Sequence, residues 1–217
     1  MINKLGDRLE MQVVIALFCE NADWISEIPN HWDVVVYNKS DKSANIIGSE
    51  FMLPNIGRES QSFFYHIYKN YDNLHDLTLF LQGFPFDHTP DIKKILNLTN
   101  LKEMSRYADK NLQSSDYIGF GPFWEEDTFI ISKENYWKRK GCEEIWNMVH
   151  PEPMPNFIST MWGQQFIISK RLIQRFPISF YQKISDKHHY SPMLPYKLEF
   201  MLPAIYLQES KRLSYLH

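Results

Sequence analysis

Cysteine is almost missing from this sequence. Cys19 and Cys142 are its only two, and they stand in unrelated contexts, which leaves neither a disulfide framework nor a Cys-based metal site to read. A reducing, cytoplasmic setting is the expectation. Any excess of positive charge is missing too: 23 Lys and Arg against 26 Asp and Glu give a formal charge of -3, without the broad basic field that phosphate-backbone binding relies on. Nucleic acid is not an expected partner. No apolar run approaches the ~20 residues a membrane helix needs. The first such run, Val13 to Phe18, follows Lys4, Asp7, Arg8 and Glu10, so neither a span nor an export signal is expected. Glycine is scarce, at 8 of 217 residues, while aromatics reach 15% and hydrophobic residues 44%. That composition suits one packed, enzyme-like domain with a self-sufficient core.

Hydrophobic patterning then orders the chain. Met11 to Phe18 is a continuous apolar run, which predicts a strand buried on both faces of a parallel sheet. A short helix around Asp23 to Ile25 precedes Pro29. Asp33 to Tyr37 reads as a second, β-branched strand, with Asn38 to Asp41 as its turn. A loop with little periodicity runs to Phe51. From Arg58 or Glu59 onward, Phe63, Phe64, Ile67 and Tyr71 recur at helical spacing. Leu77 to Leu81 is a third buried strand, ending abruptly at Gln82 and Gly83. Asp91 to Tyr107 reads as a helix, Asn111 to Glu126 as a long aromatic loop, Trp162 to Ser169 as a late strand and Lys170 to Phe176 as the helix after it. A final helix is expected over Leu198 to Gln208 despite Pro203. The alternation predicts a single α/β domain: a mostly parallel central sheet flanked by helices, Rossmann-like, with ligands beyond the strands' carboxyl ends.

Two loops concentrate functional groups at those ends. In PNIGRES, Pro54 to Ser60, Gly57 permits a close backbone approach. The helix starting after it aims free amides outward, and Arg58 adds a permanently charged fork suited to phosphate or carboxylate. A surface turn with an Arg58 to Glu59 ion pair accounts for the same residues. In FLQGFPFDH, Phe80 to His88, the strand end delivers Asp87 and His88 together, a pair able to hold a divalent cation that diphosphate oxygens complete. A helix cap at Asp87 and an ordinary hydrogen-bonded His88 are the alternative.

The ordered string VVVYNK (Val34 to Lys39), LPNIGRE (Leu53 to Glu59), NYDNL (Asn70 to Leu74), DLTLFLQG (Asp76 to Gly83), PFDH (Pro85 to His88) and QFIISK (Gln165 to Lys170) resembles a family of small GT-A-like glycosyltransferases. That family has NxGRE and FLQGxPxxH motifs and bacterial, fungal and large-DNA-virus members. The resemblance covers residues 12–90 closely and 157–206 more loosely; more distantly the pattern is similar to rhamnan-synthesis glycosyltransferases. It implies a GT-A-like domain with a donor-binding half over 12–90 and an acceptor-side half over 157–206. It also implies that Asn55, Gly57, Arg58 and Glu59 contact a nucleotide sugar, with Lys39, Gln82 and Gly83 beside them. The loop after Leu81 stands where GT-A enzymes keep an Asp-X-Asp metal motif, and here this sequence departs, with Gln82 and Gly83 in place and the carboxylate delayed to Asp87. Either Asp87 and His88 hold Mn2+ or Mg2+, or the diphosphate is managed without a metal.

By the same resemblance Trp162, Gly163 and Gln164 lie near the acceptor sugar, and Glu199 is a late carboxylate placed to take the proton from an attacking hydroxyl. Core packing of Trp162 and a surface ion pair of Glu199 with Lys197 or Arg212 are the structural alternatives. His188 and His189 read as a solvated pair in a surface turn. The expected activity is transfer of a hexosyl or deoxyhexosyl group from a nucleotide diphosphate sugar to a glycan or glycoconjugate hydroxyl. A non-catalytic glycan- or nucleotide-binding module is the alternative. A metal-dependent phosphoesterase would need more carboxylates near the strand ends than the sequence places there.

Overall fold

The seven residues Met11–Leu17 form strand β1 and are all buried, as an uninterrupted apolar run requires when both faces of a sheet are covered. The computed structural model describes residues 11–44, 46, 48–98, 100–127, 136–155 and 157–214. Parallel to β1 run β2 (Asp33–Asn38) on one side and, on the other, β4 (Leu77–Gln82). Strand β3 (Ser49–Met52) pairs parallel with β2 at the sheet edge. Beyond β4 lies β8 (Gln165–Ser169), antiparallel to β4 and to its outer neighbour β5 (Tyr117–Phe120). The order is therefore β3-β2-β1-β4-β8-β5, and the expected α/β architecture with a mostly parallel, helix-flanked sheet is present. A separate antiparallel ribbon joins β6 (Phe123–Asp127) to β7 (Phe157–Met161).

Period-two alternation sorts the strand residues onto two cores. Val14, Val35, Phe80 and Phe166 face one side. There they meet α1 (Arg58–Asn70), α6 (Ile178–Lys187) and α7 (Leu194–Ser214). Val13, Ile15, Val36, Leu79 and Leu81 face the other, against Trp24, Ile28 and the α2 helix Ile92–Leu96. Side chains of this kind stabilise the fold by ~1.5–3 kcal/mol each when fully buried. The remaining helices are α3 (Leu101–Met104), α4 (Tyr136–Trp146) and α5 (Lys170–Ile173).

Several boundaries differ from the sequence expectation for identifiable reasons. The stretch Asp91 to Tyr107 is two short helices and a 3-10 turn, the second helix restarting where the Asn100 side chain accepts from the Glu103 amide. The long loop expected over Asn111 to Glu126 contains β5 and most of β6. Trp162 to Ser169 is not one strand. Gly163 (φ 97°) and Gln164 (φ 38°) turn the chain between β7 and β8 in a left-handed conformation that no strand tolerates. The last helix starts at Leu194, with Pro195 in its first turn, where a missing N–H costs nothing.

The connectivity creates a crevice. From β1 the chain moves outward to β2 and β3, then returns through α1 to β4 on the opposite flank of β1. The carboxyl ends of β1 and β4 are thus left by connections departing in opposite directions, which opens a gap at the rim of the sheet.

Candidate functional site

A cleft of about 620 Å³ occupies that gap, lined by Leu17, Phe18, Glu20 and Asn21 from the end of β1, by Lys39 after β2, by Asn55, Arg58 and Glu59, and by Gln82, Gly83, Asp87 and His88. Eight residues expected from the sequence on the donor and metal side therefore share one concavity. Its position beyond two diverging parallel strands is where α/β sheets bind ligands.

Lys39 lines the cleft and also supports it. Its ammonium is buried and donates to the carbonyls of Ile56, at 2.6 Å, and of Arg58. It is a strut beneath the PNIGRES loop. Burial lowers its pKa to about 8 from 10.5, with Glu59 pulling the other way. The strut supports a strained backbone: Gly57 (φ 65°) and Arg58 (φ 48°) are consecutive left-handed residues, and a non-glycine there costs of order 1 kcal/mol or more. Gly57 itself does not line the cleft. A Cβ at this position would lie 2.4 Å from Cδ2 of His188, so glycine is needed for packing as well as for its positive φ. The expectation that Gly57 admits a ligand is replaced by this internal contact. His188, expected in solvent, is 4% exposed. Its Nδ1 donates to the Ile184 carbonyl, leaving Nε2 to accept from the Ser60 hydroxyl at 2.8 Å.

Arg58 is half exposed, 3.5 Å from the Glu59 carboxylate. Its guanidinium lies 4.9 Å from the centre of the Tyr196 ring. The ion pair anticipated for a plain surface turn is thus present, yet the fork still borders the cleft. On the other rim, the Trp24 indole donates to Gly83 O at 2.9 Å and Gln165 Nε2 to Pro85 O at 3.0 Å, fixing the loop that carries Asp87 and His88. Asp87 is not a cap, because Asp91 holds that position in α2.

The acceptor-side residues meet this rim from behind. Gly163 packs on the His88 imidazole, whose Cγ would stand 2.6 Å from an added Cβ. Its N–H donates to Glu199 Oε1 at 2.7 Å. Gln164 is fully buried and donates to Pro195 O at 3.0 Å and toward Glu59 at 3.5 Å. It is structural, in contrast to the expected sugar contact. Trp162 is exposed. Burial pushes the Glu199 carboxyl above the usual carboxylate range. The Gly163 N–H, Arg58 and His88 favour the charged form, and Glu59 opposes it.

Residues 13–199 match the family described as Protein of unknown function (DUF3431). The chain belongs to the DUF3431 family. No curated protein matches it. In this DUF3431 chain the matched span runs from β1 to Glu199, so it contains the whole cleft and the carboxylate behind it.

Sequence reasoning missed Glu20 and Tyr196. Glu20 accepts from the Phe18 amide at 2.7 Å, and a Cβ on Gly83 would lie 2.6 Å from its Oε2. The position of Glu20 just past the first parallel strand was the available signal. Tyr196 lies more than a hundred positions from Arg58 and has none. Among the described residues no group of three or more His, Cys, Asp or Glu side chains converges. A cation at Asp87 and His88 would therefore draw most of its ligands from substrate and water, a shell Mg2+ accepts.

Proposed function

We propose that this protein is a glycosyltransferase that moves a sugar from a nucleotide diphosphate sugar to a hydroxyl of a glycan or glycoconjugate acceptor. The observation that carries the reading is the convergence of Asn55, Arg58, Gln82, Gly83, Asp87 and His88 on one cleft at the sheet's switch point. Beside it stands Glu199, a carboxylate of raised pKa.

Glu20, Glu59 and Asp87 face the same cleft as Lys39 and Arg58, and Lys39 is already committed to two carbonyls. A diphosphate entering it meets more carboxylates than available cations. Asp87 and His88 would hold a divalent ion, Mn2+ or Mg2+, which when bound supplies the missing positive charge on the diphosphate. Arg58 binds the phosphates and stabilises the leaving group, where charge develops as the sugar C–O bond breaks. The acceptor oxygen forms the new bond to the anomeric carbon and its proton passes to Glu199. A base with a raised pKa suits that role, worth ~10²- to 10⁴-fold in rate. A cytoplasmic setting accompanies the reading. It is supported by the exposed Cys19 and buried Cys142, which form no disulfide.

Titration calorimetry against UDP-, GDP- and dTDP-sugars, with and without Mn2+, tests the proposal. Binding of one donor that weakens about 30- to 100-fold in Arg58→Ala is expected, as for loss of a charge-assisted contact. No heat from any donor in either condition sinks it. Donor binding without hydrolysis or transfer under any metal would instead identify a non-catalytic binding module.

A further inference from the structure

A second cavity, of about 340 Å³, lies on the α1 face of the sheet, away from the cleft. It exists because α1 packs across β1 and β2 and stops short of the edge strand β3. The inner face of β3 is left uncovered. Its floor is Val35 and Tyr37, its outer wall Phe51 of β3 and its inner wall Tyr65 and Lys69 of α1. Phe51 is 51% exposed although its ring stacks on Tyr37 at 5.8 Å. The Tyr37 hydroxyl is occupied by His66 Nδ1 at 3.0 Å, so this residue offers the trough its ring.

Ser49 and His66 also line the trough, and the other polar groups gather at the end where the strands begin. Asp33 and Gln12 close that end, bonded to each other at 2.5 Å, with His75 3.7 Å from the same carboxylate. Lys69 and Asn70 border the trough at the same end, from the last turn of α1. Aromatic walls with hydrogen-bonding groups gathered at one end match a pyranose, which presents apolar C–H faces and a periphery of hydroxyls. The volume falls in the range of small-ligand sites. One loop borders both the trough and the cleft. Leu53 lines the trough and Asn55 the cleft, two positions that the chain separates by at most about 7 Å.

We propose that this trough is a saccharide-binding subsite that anchors the acceptor chain one or two sugar units from the transfer point. The part about the acceptor rests on the transferase reading; saccharide binding in the trough does not.

Saturation-transfer NMR with cello-, chito-, malto- and oligogalacturonide pentasaccharides tests it on the intact protein. At least one probe is expected to receive saturation from the protein. Its binding should weaken about tenfold in Phe51→Ala, the loss of one stacking aromatic. Arg58→Ala should leave it unchanged, and Phe51→Ala should leave UDP-sugar binding unchanged. Because Phe51 is half exposed, its variant is expected to fold, which a thermal melt confirms. A second variant, Asp33→Asn, reports from the polar end. Silence from every saccharide overturns the subsite, as does binding indifferent to both variants, or binding lost in Arg58→Ala instead. An extended peptide that shifts the β3 amides while no saccharide does overturns it as well. Failure of the donor reading appears separately, as no binding of any UDP-, GDP- or dTDP-sugar by the unmodified protein.

Discussion

His188 offers a sharp test of how the candidate cleft is supported. Its imidazole is buried against Gly57 and Ser60, and burial, aided by the charge of Lys39 and resisted by the bond to Ile184, lowers its pKa from 6.5 to about 4. The unfolded chain therefore takes up a proton at this residue while the folded one does not. Stability from His188 is fully present above pH 6.5 and is lost as the pH falls toward about 4. Linkage across this window gives a loss of about 2 kcal/mol between about pH 7.5 and about pH 5. His66, lowered to about 3 by burial, adds a similar amount of about 2 kcal/mol over the same range. Urea unfolding of the parent protein and of His188→Gln, each at both pH values, separates the two. The comparison is within each protein, because the substitution itself removes the Ser60 contact. The parent should lose about twice as much as the variant. Equal losses in both would refute the argument that His188 is folded in its neutral form.

Glu199→Gln should lower turnover by ~10²-fold or more while leaving donor affinity near that of the parent. It should also abolish the acidic limb of the rate profile, and an unchanged profile removes Glu199 as the base. Gly163→Ala forces a left-handed alanine against the His88 ring and should cost ~1–3 kcal/mol in urea unfolding; a neutral result would show the turn at 163 to be pliant. Cys19 is exposed beside Phe18 and Glu20 of the cleft lining. Its alkylation by a bulky maleimide should slow several-fold when a donor is bound, measured by mass spectrometry, and an unchanged rate would place the ligand elsewhere.

The parallel centre of the fold was legible because β1, β4 and most of β2 are buried on both faces, which leaves short, continuous, β-branched apolar runs. Strand β3 was not. Its four residues SEFM are at a sheet edge and mostly exposed, so they carry neither periodicity nor bulk hydrophobicity. The turn at Gly163 and Gln164 was masked by apolar neighbours, although a glycine beside a strand is a standing hint of positive φ. At the site, Asn55, Arg58 and Glu59 of NIGRE and Gln82 and Gly83 of FLQG line one cleft, while Gly57 does not. Their individual tasks were not readable from spacing. Whether Lys39 points at a ligand or at the carbonyls of Ile56 and Arg58 depends on how far it sits below the loop, which only the register of β2 beside β1 determines. The same limit applied to His188: adjacency to His189, Lys187 and Tyr190 reads as solvent, while the packing of α6 on α1 puts it inside.

Helix α1 begins at the cleft with Arg58 and ends at the trough with Asn70. Thirteen residues make a rod of about 20 Å, with Tyr65 about 10 Å along the axis from Arg58. Pinned at its start by Lys39 and His188 and buried along Phe63, Phe64 and Ile67, it has no joint at which one end shifts without the other. It is a ruler, holding the two concavities at a fixed interval and setting the length of any molecule that reaches into both.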